Sequence, residues 1–365
     1  MAELRYNPLL RDWTMVASNR QNRPQMPKDY CPFCPGSGKV PDDYDVYQYD
    51  NDFPALSPTP PHPDDVATGL YRVADAYGKC EVILYSPDHH ATLPELPVSH
   101  IRKVVDLWAQ RFAALSKDVN HKYVLIFENR GPEVGVTMPH PHGQIYAYPY
   151  IPQKIRVELD SCSRHHAETG HCLICDINNE EQAFAQRMLV ETEFFVSYVP
   201  FFTDYPYGAF ISSKLHKSSI LEFTNEERDD LAKILKLVTA GMDALFDRDF
   251  PYMMVMHQSP VNQGTPNEVA PLEVGARNVA ATMDTASATD AASVSNVSTK
   301  ASANSDEYYH FHIEFYPPLR AKDKIKYLAS SESGAWAPCN PLSVEDTTAQ
   351  LRQAILARKV ELCIE

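Results

Sequence analysis

The pattern of apolar and polar positions repeats once along the chain. Each copy has a short apolar run typical of a β-strand, then a longer stretch with apolar residues at helical spacing, then a second short run. A His-x-His segment ends each copy, at His140 and at His310. The pattern predicts an α+β fold of two duplicated halves, each an antiparallel sheet with helices on one face. The predicted elements are residues 81–86, 98–115 and 123–127 in the first copy and 209–213, 225–245 and 252–256 in the second.

The halves are predicted at residues 1–155 and 156–365, and one segment makes the second half longer. Between residues 280 and 305 most side chains are those of Ala, Ser or Thr. Such a tract buries too little apolar surface to offset the entropy lost on ordering it. We therefore expect a disordered or poorly packed insertion at about residues 264–306.

Composition narrows the class of protein. A chain of 365 residues is long enough for two domains. Its 33 basic and 48 acidic residues give a net charge of −15, which argues against a general nucleic-acid binder, because phosphate contacts need a basic face. The first residues lack the apolar core of a signal peptide, and no apolar run is long enough to cross a membrane. We expect a cytoplasmic protein in which the eight cysteines stay reduced.

Four of the eight cysteines form two Cys-x-x-Cys pairs, and each pair is followed by two histidines in matching contexts. Such a pair can place two thiolates on one tetrahedral zinc ion, which needs two further ligands. We therefore expect two zinc ions per chain. The predicted ligand sets are Cys31, Cys34, His89 and His140 in the first half and Cys172, Cys175, His216 and His310 in the second.

Alternatives remain for these cysteines. A redox pair normally opens a helix after a strand, whereas the Pro- and Gly-rich residues that follow Cys31 predict a turn. For the second set, the alternative is a remnant that binds no metal. The other cysteines have no partner at ligand spacing and are predicted to be buried thiols: Cys80, Cys162, Cys339 and Cys363.

The chemistry is expected at the first His-x-His segment. In an extended strand, His140, His142 and Gln144 share one face, so a metal ion on His140 would leave His142 free beside it. A neutral imidazole is a good nucleophile toward phosphorus, and Gln144 can donate a hydrogen bond to a phosphoryl oxygen. Gly143 would let a phosphate approach the backbone. On spacing alone, two metal ligands or a chance surface pair remain alternatives.

Five segments carry a highly specific combination of residues. They are Cys31-Pro-Phe-Cys34, Ser86-Pro-Asp-His89, Thr92-Leu-Pro-Glu-Leu96, Phe127-Glu-Asn-Arg-Gly131 and Pro139-His-Pro-His-Gly-Gln144, with support from residues 19–24, 49–53 and 315–318. Together they resemble the galactose-1-phosphate uridylyltransferase family of the histidine-triad superfamily. The resemblance extends from Asn7 to about Glu332, apart from the predicted insertion.

This resemblance implies a ping-pong reaction of galactose metabolism in a homodimer of histidine-triad-like halves. His142 matches the nucleophile that attacks the α-phosphorus of UDP-glucose, forms a uridylyl-histidine and releases glucose 1-phosphate. Galactose 1-phosphate then accepts the uridylyl group and becomes UDP-galactose. Gln144 matches the glutamine that replaces the third histidine of hydrolytic relatives, and its amide favours transfer over hydrolysis. The first Cys/His set matches the family's zinc ligands.

The resemblance also implies nine substrate-binding residues. Arg20 and Arg23 match the arginines that bind the nucleotide phosphates. Asn51 and Asp52 match ribose and base contacts, and Asn129 matches a phosphate contact. Thr137 stands where better-known members have serine, and Lys326, Tyr327 and Glu332 match the hexose phosphate site, partly across the dimer interface. The residues are Arg20, Arg23, Asn51, Asp52, Asn129, Thr137, Lys326, Tyr327 and Glu332.

The second half departs from the family pattern. Some members bind a different metal there through one glutamate and three histidines, and Glu158 and His257 could be part of such a set. Glu314, however, stands where one of those histidines would be, so the Cys172 set is preferred. His312 holds the position of His142 but lacks the Gly and Gln that follow, which predicts a structural second site. The pair at His165 is predicted on a solvated loop.

Two other functions remain open. A related ADP-glucose:phosphate adenylyltransferase would use the same histidine, the same glutamine and two zinc sites. A non-enzymatic zinc-scaffolded binding protein would have His142 as an ordinary strand residue. The hexose 1-phosphate that serves as acceptor is also left open by the sequence.

Overall fold

The computed structural model of the chain describes residues 2–22, 30–263 and 304–364. Arg23 and most of the predicted insertion at 264–306 lie outside the described residues. The described strands are β1 (Ala2–Asn7), β2 (Asp12–Ala17), β3 (Tyr47–Asp50), β4 (Val73–Asp75), β5 (Lys79–Leu84), β6 (Tyr123–Arg130), β7 (His142–Tyr148), β8 (Met188–Glu191), β9 (Phe195–Tyr198), β10 (Ala209–Ser213), β11 (Tyr252–His257), β12 (His312–Tyr316), β13 (Leu319–Ala321) and β14 (Lys324–Ile325). The described α-helices are α1 (Val98–Leu115), α2 (Gln153–Thr169), α3 (Leu173–Phe184), α4 (Asn225–Phe246), α5 (Ser330–Ala335) and α6 (Val344–Glu361), and short 3-10 helices lie at Ser18–Asn22, Pro132–Val134, Ile220–Glu222 and Ser305–Glu307.

Nine of the strands form one antiparallel sheet, with the order β3-β5-β7-β6-β11-β12-β10-β9-β8. The central pair is β6 and β11, where Ile126 lies opposite Met256. Moving outward from this pair, β7 corresponds to β12, β5 to β10 and β3 to β9. The predicted α+β class is confirmed, with one difference: the two halves share a single sheet. This pairing satisfies backbone groups that two separate sheets would leave open at their edges.

The helices α1 and α4 cover one face of this sheet. Apolar residues of α1 recur at helical spacing, and Val104, Val105 and Trp108 are fully buried in the core that α4 shares. The helix α4 begins with a capping box, in which Thr224 accepts a hydrogen bond from the backbone of Glu227 and the Glu227 carboxylate accepts one from Thr224. Both helices agree with the predicted stretches 98–115 and 225–245, the second being one residue longer.

The opposite face of the sheet carries three further apolar clusters of described residues. Alternation along β5 and β7 places Val82, Leu84 and Tyr146 on this face, while Ile83 and Ile145 face the helices. The small sheet β2-β1-β4 packs over the tyrosine-rich cluster. Within the part of the chain that the structure describes, no helix combines the length and apolarity needed to cross a membrane.

Three residues do not lie where they were predicted: Cys339, Cys363 and His165. Cys339 and Cys363 are exposed, because they lie in the segments that follow α5 and α6, whereas Cys80 and Cys162 are buried as predicted. His165 lies in the helix α2 and not on a loop, and its ring is hydrogen-bonded to the carboxylate of Asp176 (2.7 Å). The predicted boundary at residues 155 and 156 falls inside α2 and stays a prediction.

The close contact of α4 with α6 gives a test of the fold. A Cβ added to Gly241 would lie 2.2 Å from Cγ1 and 2.9 Å from Cα of Ile355. We expect Gly241→Ala to lower the free energy of unfolding by about 1–3 kcal/mol through overpacking, measured by urea denaturation. Gly334→Ala, where a Cβ would meet nothing within 4 Å, is the control and should change stability by less than about 0.5 kcal/mol. Equal effects of both changes would contradict the tight α4–α6 contact.

Candidate active site

The first predicted ligand set comes together in the structure. Ligand atoms of Cys31, Cys34, His89 and His140 all lie within 4.8 Å of one another. Sγ of Cys34 is 3.4 Å from Nδ1 of His89 and 3.7 Å from Nδ1 of His140, and Sγ of Cys31 is 3.7 Å from the same atom of His140. These four residues could hold one metal ion.

Hydrogen bonds prepare this cluster for a cation. Nε2 of His140 donates to the carbonyl of Ser86 (2.8 Å), which leaves Nδ1 as a lone-pair donor toward the thiols. Burial lowers the pKa of His140 to about 4, so its imidazole is neutral. Burial and the neighbouring Cys31 raise the pKa of the Cys34 thiol to about 11, so two thiolates at this place need a positive charge between them. As predicted, the Cys31–Cys34 segment is a turn and not a helix.

The second predicted set also comes together, in the other half. Cys172, Cys175, His216 and His310 offer ligand atoms within 4.8 Å of one another, and Sγ of Cys175 is 3.3 Å from Nδ1 of His310. Nε2 of His310 is hydrogen-bonded to Ser213, as Nε2 of His140 is to Ser86. A hydrogen bond from the Cys175 thiol lowers the pKa of Cys172, and the same contact raises the pKa of Cys175. This cluster could hold a second ion.

His142 begins β7 on the face of the sheet opposite the two long helices. Its Nδ1 donates a hydrogen bond to the carbonyl oxygen of His140 (2.7 Å), which fixes the tautomer and leaves the lone pair on Nε2. The ring lies 5.8 Å from that of Phe33, within the turn that also carries the two thiols. The arrangement provides a partly exposed histidine, in the tautomer with its lone pair on Nε2, two residues after a candidate metal ligand.

Gly143 has a different role from the predicted one. Its missing side chain points to the helix-covered face, where an added Cβ would lie 2.2 Å from the hydroxyl of Tyr85 and 3.1 Å from the carbonyl of Phe127. The glycine therefore makes room for a buried tyrosine under the strand and not for a phosphate above it. The reason is the alternation of the strand, since Gly143 lies on the face of the sheet opposite to that of His142 and Gln144.

Gln144 and Arg20 are joined by a tyrosine that the sequence argument did not single out. The hydroxyl of Tyr146 donates to Oε1 of Gln144 (3.3 Å), which leaves the amide nitrogen as the donor. Nη1 of Arg20 in turn donates to the Tyr146 hydroxyl (3.3 Å). The signal was available, because Tyr146 continues the two-residue period of His142 and Gln144 along one face.

The other predicted nucleotide and phosphate contacts lie near the ends of β3 and β6. Asn51 and Asp52 follow β3, and the Asp52 carboxylate accepts a hydrogen bond from Tyr49 (2.9 Å). Asn129 lies in β6 and lines a cavity of 320 Å³ together with His142. The hydroxyl of Thr137 is buried and has no hydrogen-bond partner in the described structure, so it could bind a ligand.

The predicted hexose phosphate residues lie elsewhere. Nζ of Lys326 is buried, 3.8 Å from Glu332 and 5.0 Å from the ring centre of Tyr205 in the second half. Tyr327 is exposed. Lys326 and Glu332 are thus brought together, but no described contact joins them to His142 of the same chain.

The second half holds a third cluster at the place that corresponds to the His142 pocket. Glu158, His257 and His312 offer ligand atoms within 4.8 Å of one another. The alternative metal site of glutamate and histidine, which was considered beside the Cys172 set, is therefore present in part. Nδ1 of His312 is bonded to the carbonyl of His310 (2.9 Å), just as His142 is to that of His140. Its Nε2, however, is bonded to Glu314 (3.2 Å), and the side chain is fully buried. His312 is therefore unable to act as a nucleophile.

Lys154 balances the charge of this third cluster, and the sequence argument missed it. Its ammonium group lies 2.6 Å from Glu314 and 3.6 Å from Glu158, one turn further along α2. Tyr309 donates a further hydrogen bond to Glu158 (2.7 Å). An internal cation thus already offsets one of the two negative charges that a metal ion would need. The spacing of four residues between Lys154 and Glu158 was the available signal, since residues four apart lie on one face if the segment is helical.

Comparison with known proteins gives one family for both halves. Residues 1–152 match the family described as galactose-1-phosphate uridyl transferase, N-terminal domain, and residues 158–274 match the C-terminal domain. A galactose-1-phosphate uridylyltransferase of Thermotoga maritima is 39% identical over 354 residues, which are 97% of this chain and 98% of that protein. A solved uridylyltransferase structure has a TM-score of 0.79 at 29% identity and covers 100% of both chains. An ADP-glucose phosphorylase of Arabidopsis thaliana, solved with bound ADP-glucose, shares the fold, with a TM-score of 0.66 at 22% identity over 97% of this chain and 98% of that one.

The contact of Gly143 with Tyr85 gives a test of the strand beneath the site. We expect Gly143→Ala to lower the free energy of unfolding by about 1–3 kcal/mol, because the new methyl group meets the Tyr85 hydroxyl. Adding Tyr85→Phe should recover part of this loss, because it removes the atom that the new methyl group meets, and Tyr85→Phe alone gives the cost of losing the hydroxyl beside the buried Glu128. Urea unfolding of the four proteins measures all three effects. A Gly143→Ala protein as stable as the wild type would refute the contact.

Proposed function

The chain belongs to the galactose-1-phosphate uridylyltransferase family, and we propose that His142 is the nucleophile with which it transfers a uridylyl group from UDP-glucose to galactose 1-phosphate. The hydrogen bond from Nδ1 to the His140 carbonyl carries this proposal, because it selects the tautomer in which Nε2 holds the lone pair. Nε2 forms a bond to the α-phosphorus while the bond from that phosphorus to glucose 1-phosphate breaks. Galactose 1-phosphate then attacks the same phosphorus, the P–N bond breaks, and UDP-galactose leaves.

The residues around His142 suit transfer to a phosphate acceptor. A sugar phosphate leaves as an anion and needs no proton, so the absence of an acid at Gln144 costs nothing. The Gln144 amide, held by Tyr146, donates to a non-bridging oxygen of the transferred phosphoryl group. An amide cannot take a proton from water, which disfavours hydrolysis of the intermediate. The His140 carbonyl stabilises the positive charge that the imidazole acquires once its Nε2 is phosphorylated.

Zinc is the proposed ion for both Cys/His clusters, which gives two ions per chain. Zn–S bonds of about 2.3 Å and Zn–N bonds of about 2.0–2.1 Å in a tetrahedron separate sulfur and nitrogen by roughly 3.6 Å. The observed separations of 3.3 to 3.7 Å support this assignment. When bound, zinc supplies a structural cross-link, since all four positions are taken by protein ligands. At the first cluster it fixes His140, and through its carbonyl the orientation of His142.

The remaining substrate contacts are proposed from the family pattern. We propose that Arg20, which is hydrogen-bonded to Tyr146 beside Gln144, binds a nucleotide phosphate through its planar guanidinium group. We propose that the buried Thr137 hydroxyl donates to the substrate, which is supported by its lack of a partner in the described structure. We propose Asn51, Asp52, Arg23 and Asn129 as nucleotide and phosphate contacts. For Lys326, Tyr327 and Glu332 we propose hexose phosphate binding to the His142 site of a second copy. The homodimer and the cytoplasmic location stay predictions.

A covalent adduct tests the nucleophile. We expect the purified protein, incubated with UDP-glucose alone, to gain the mass of one uridylyl group on His142, and His142→Ala to gain none. His62→Ala, which changes an exposed histidine, is the control and should retain the adduct. Intact-protein and peptide mass spectrometry provide the measurement. An adduct from ADP-glucose but not from UDP-glucose would favour the adenylyltransferase alternative, and no adduct from either would refute the mechanism.

Metal content tests the two clusters separately. We expect two zinc ions per wild-type chain by elemental analysis, and one in Cys34→Ser and in Cys175→Ser. Cys34→Ser should also slow adduct formation at least tenfold, because the support of His142 is lost, whereas folded Cys175→Ser should form the adduct at close to the wild-type rate. Cys339→Ser, an exposed cysteine, is the control with two ions expected. Unchanged zinc in either cluster variant would exclude that cluster as a site.

A further inference from the structure

We propose that Arg248, in the second half, is a positioning residue that holds the active-site loop of residues 131–139 through an ion pair with Glu133. The inference rests on the proposed function, because it concerns the geometry around His142. Arg248 has no described contact with His142, Asn129 or Thr137. Its effect is therefore exerted through the loop.

The loop needs support from outside itself. It begins at Gly131 (φ 96) and contains Gly135 (φ 79), two positions in the left-handed region, and its regular structure is limited to the short 3-10 helix Pro132–Val134. Yet it connects Asn129 to His140 and carries Thr137. Fixed placement of these groups therefore depends on what the loop packs against.

The second half supplies that support at the connection between α4 and β11. Nη2 of Arg248 lies 2.5 Å from Oε1 of Glu133, and both side chains are mostly buried. Nη1 donates to the carbonyl of Lys322 (3.0 Å) and Nε to that of Asp249 (3.2 Å). One planar guanidinium group thus joins the loop to two segments of the other half. A lysine has a single ammonium group and is unable to reproduce this set.

A reciprocal ion pair holds the start of the loop. Arg130, the last residue of β6, donates to both carboxylate oxygens of Asp243 (2.5 and 3.0 Å) and to Asp249 (3.0 Å). Gly131 follows directly and is in close contact with Pro251, since an added Cβ would lie 2.7 Å from the proline Cβ. Each half therefore extends an arginine to the other at the same junction, and Arg248 is the one that reaches into the loop.

The cavity beside His142 connects the Arg248–Glu133 ion pair to the proposed reaction. Asn129, Glu133, His142 and Arg248 all line the same 320 Å³ cavity. If the Glu133 contact is lost, the loop can move relative to β7, and the distance from its substrate contacts to the Nε2 atom of His142 changes. A misplacement of about 1 Å can slow a reaction of this kind by roughly a hundredfold.

The experiment compares Arg248→Met, Arg248→Lys, Glu133→Gln and the double variant Arg248→Met/Glu133→Gln. Rapid-quench measurement of adduct formation from UDP-glucose gives the chemical step, and steady-state kinetics give kcat and KM for galactose 1-phosphate. We expect each single variant to lower the adduct rate about ten- to hundredfold with both zinc ions retained. The double variant should be no slower than the slower single variant, because both changes remove the same contact. Arg248→Lys should recover little of the rate, because an ammonium group is unable to reproduce the guanidinium contacts.

Arg358→Met removes an exposed ion pair with Glu361 on α6 and is the matched control, with no change in rate expected. Thermal unfolding of every variant separates positioning from stability. If Arg248→Met and Glu133→Gln form the adduct at the wild-type rate, the positioning role of Arg248 is refuted and the proposed function is left intact. A slower rate that follows only the loss of folded protein, or single-variant effects that simply add in the double variant, would also overturn the positioning role. A wild type that forms no adduct contradicts the proposed function itself.

Discussion

The hydrogen bond from Nδ1 of His142 to the carbonyl of His140 is the contact on which the proposed chemistry depends. The same His140 contributes its side chain to the first Cys/His cluster and its Nε2 proton to Ser86. The candidate metal cluster, the course of β7 and the tautomer of His142 are therefore coupled through one residue. Because a strand alternates its side chains, this coupling also directs Gln144 to the nucleophile's face and Gly143 to the buried face above Tyr85.

The two halves use the same scaffold for different purposes. His312 keeps the backbone hydrogen bond that His142 makes, so duplication preserved the local geometry. Glu314 takes the place of Gln144, and Lys154 neutralises it, which closes the corresponding pocket with an internal ion network. Two carboxylates buried together are stable only with a compensating positive charge. The second half therefore contributes support: it continues the sheet at β11 and, through Arg248, contacts the loop beside His142.

Much of this architecture was predictable because the signals are local. Apolar spacing predicted α1 and α4 and the strands around them, since each pattern is determined by residues a few positions apart. The two ligand sets were predictable from their repeated order. The burial of Cys339 and the loop position of His165 were predicted wrongly, because exposure depends on elements distant in sequence and no helix was predicted over α2. The phosphate-facing role of Gly143 was also predicted wrongly, although the alternation of the strand indicated that Gly143 faces away from His142. Tyr146 and Lys154 were missed although their spacing offered a signal.

The sequence by itself determined the chemical groups: a histidine two residues after a candidate ligand, a glutamine on the same face, and two sets of thiols and imidazoles. It determined them because covalent spacing and strand or helix period are properties of short segments. Only the tertiary structure decided that the halves join in one sheet, that His312 is buried while His142 lines a cavity, and that Arg248 contacts Glu133. These outcomes depend on which surfaces pack together, and packing is a property of the whole chain.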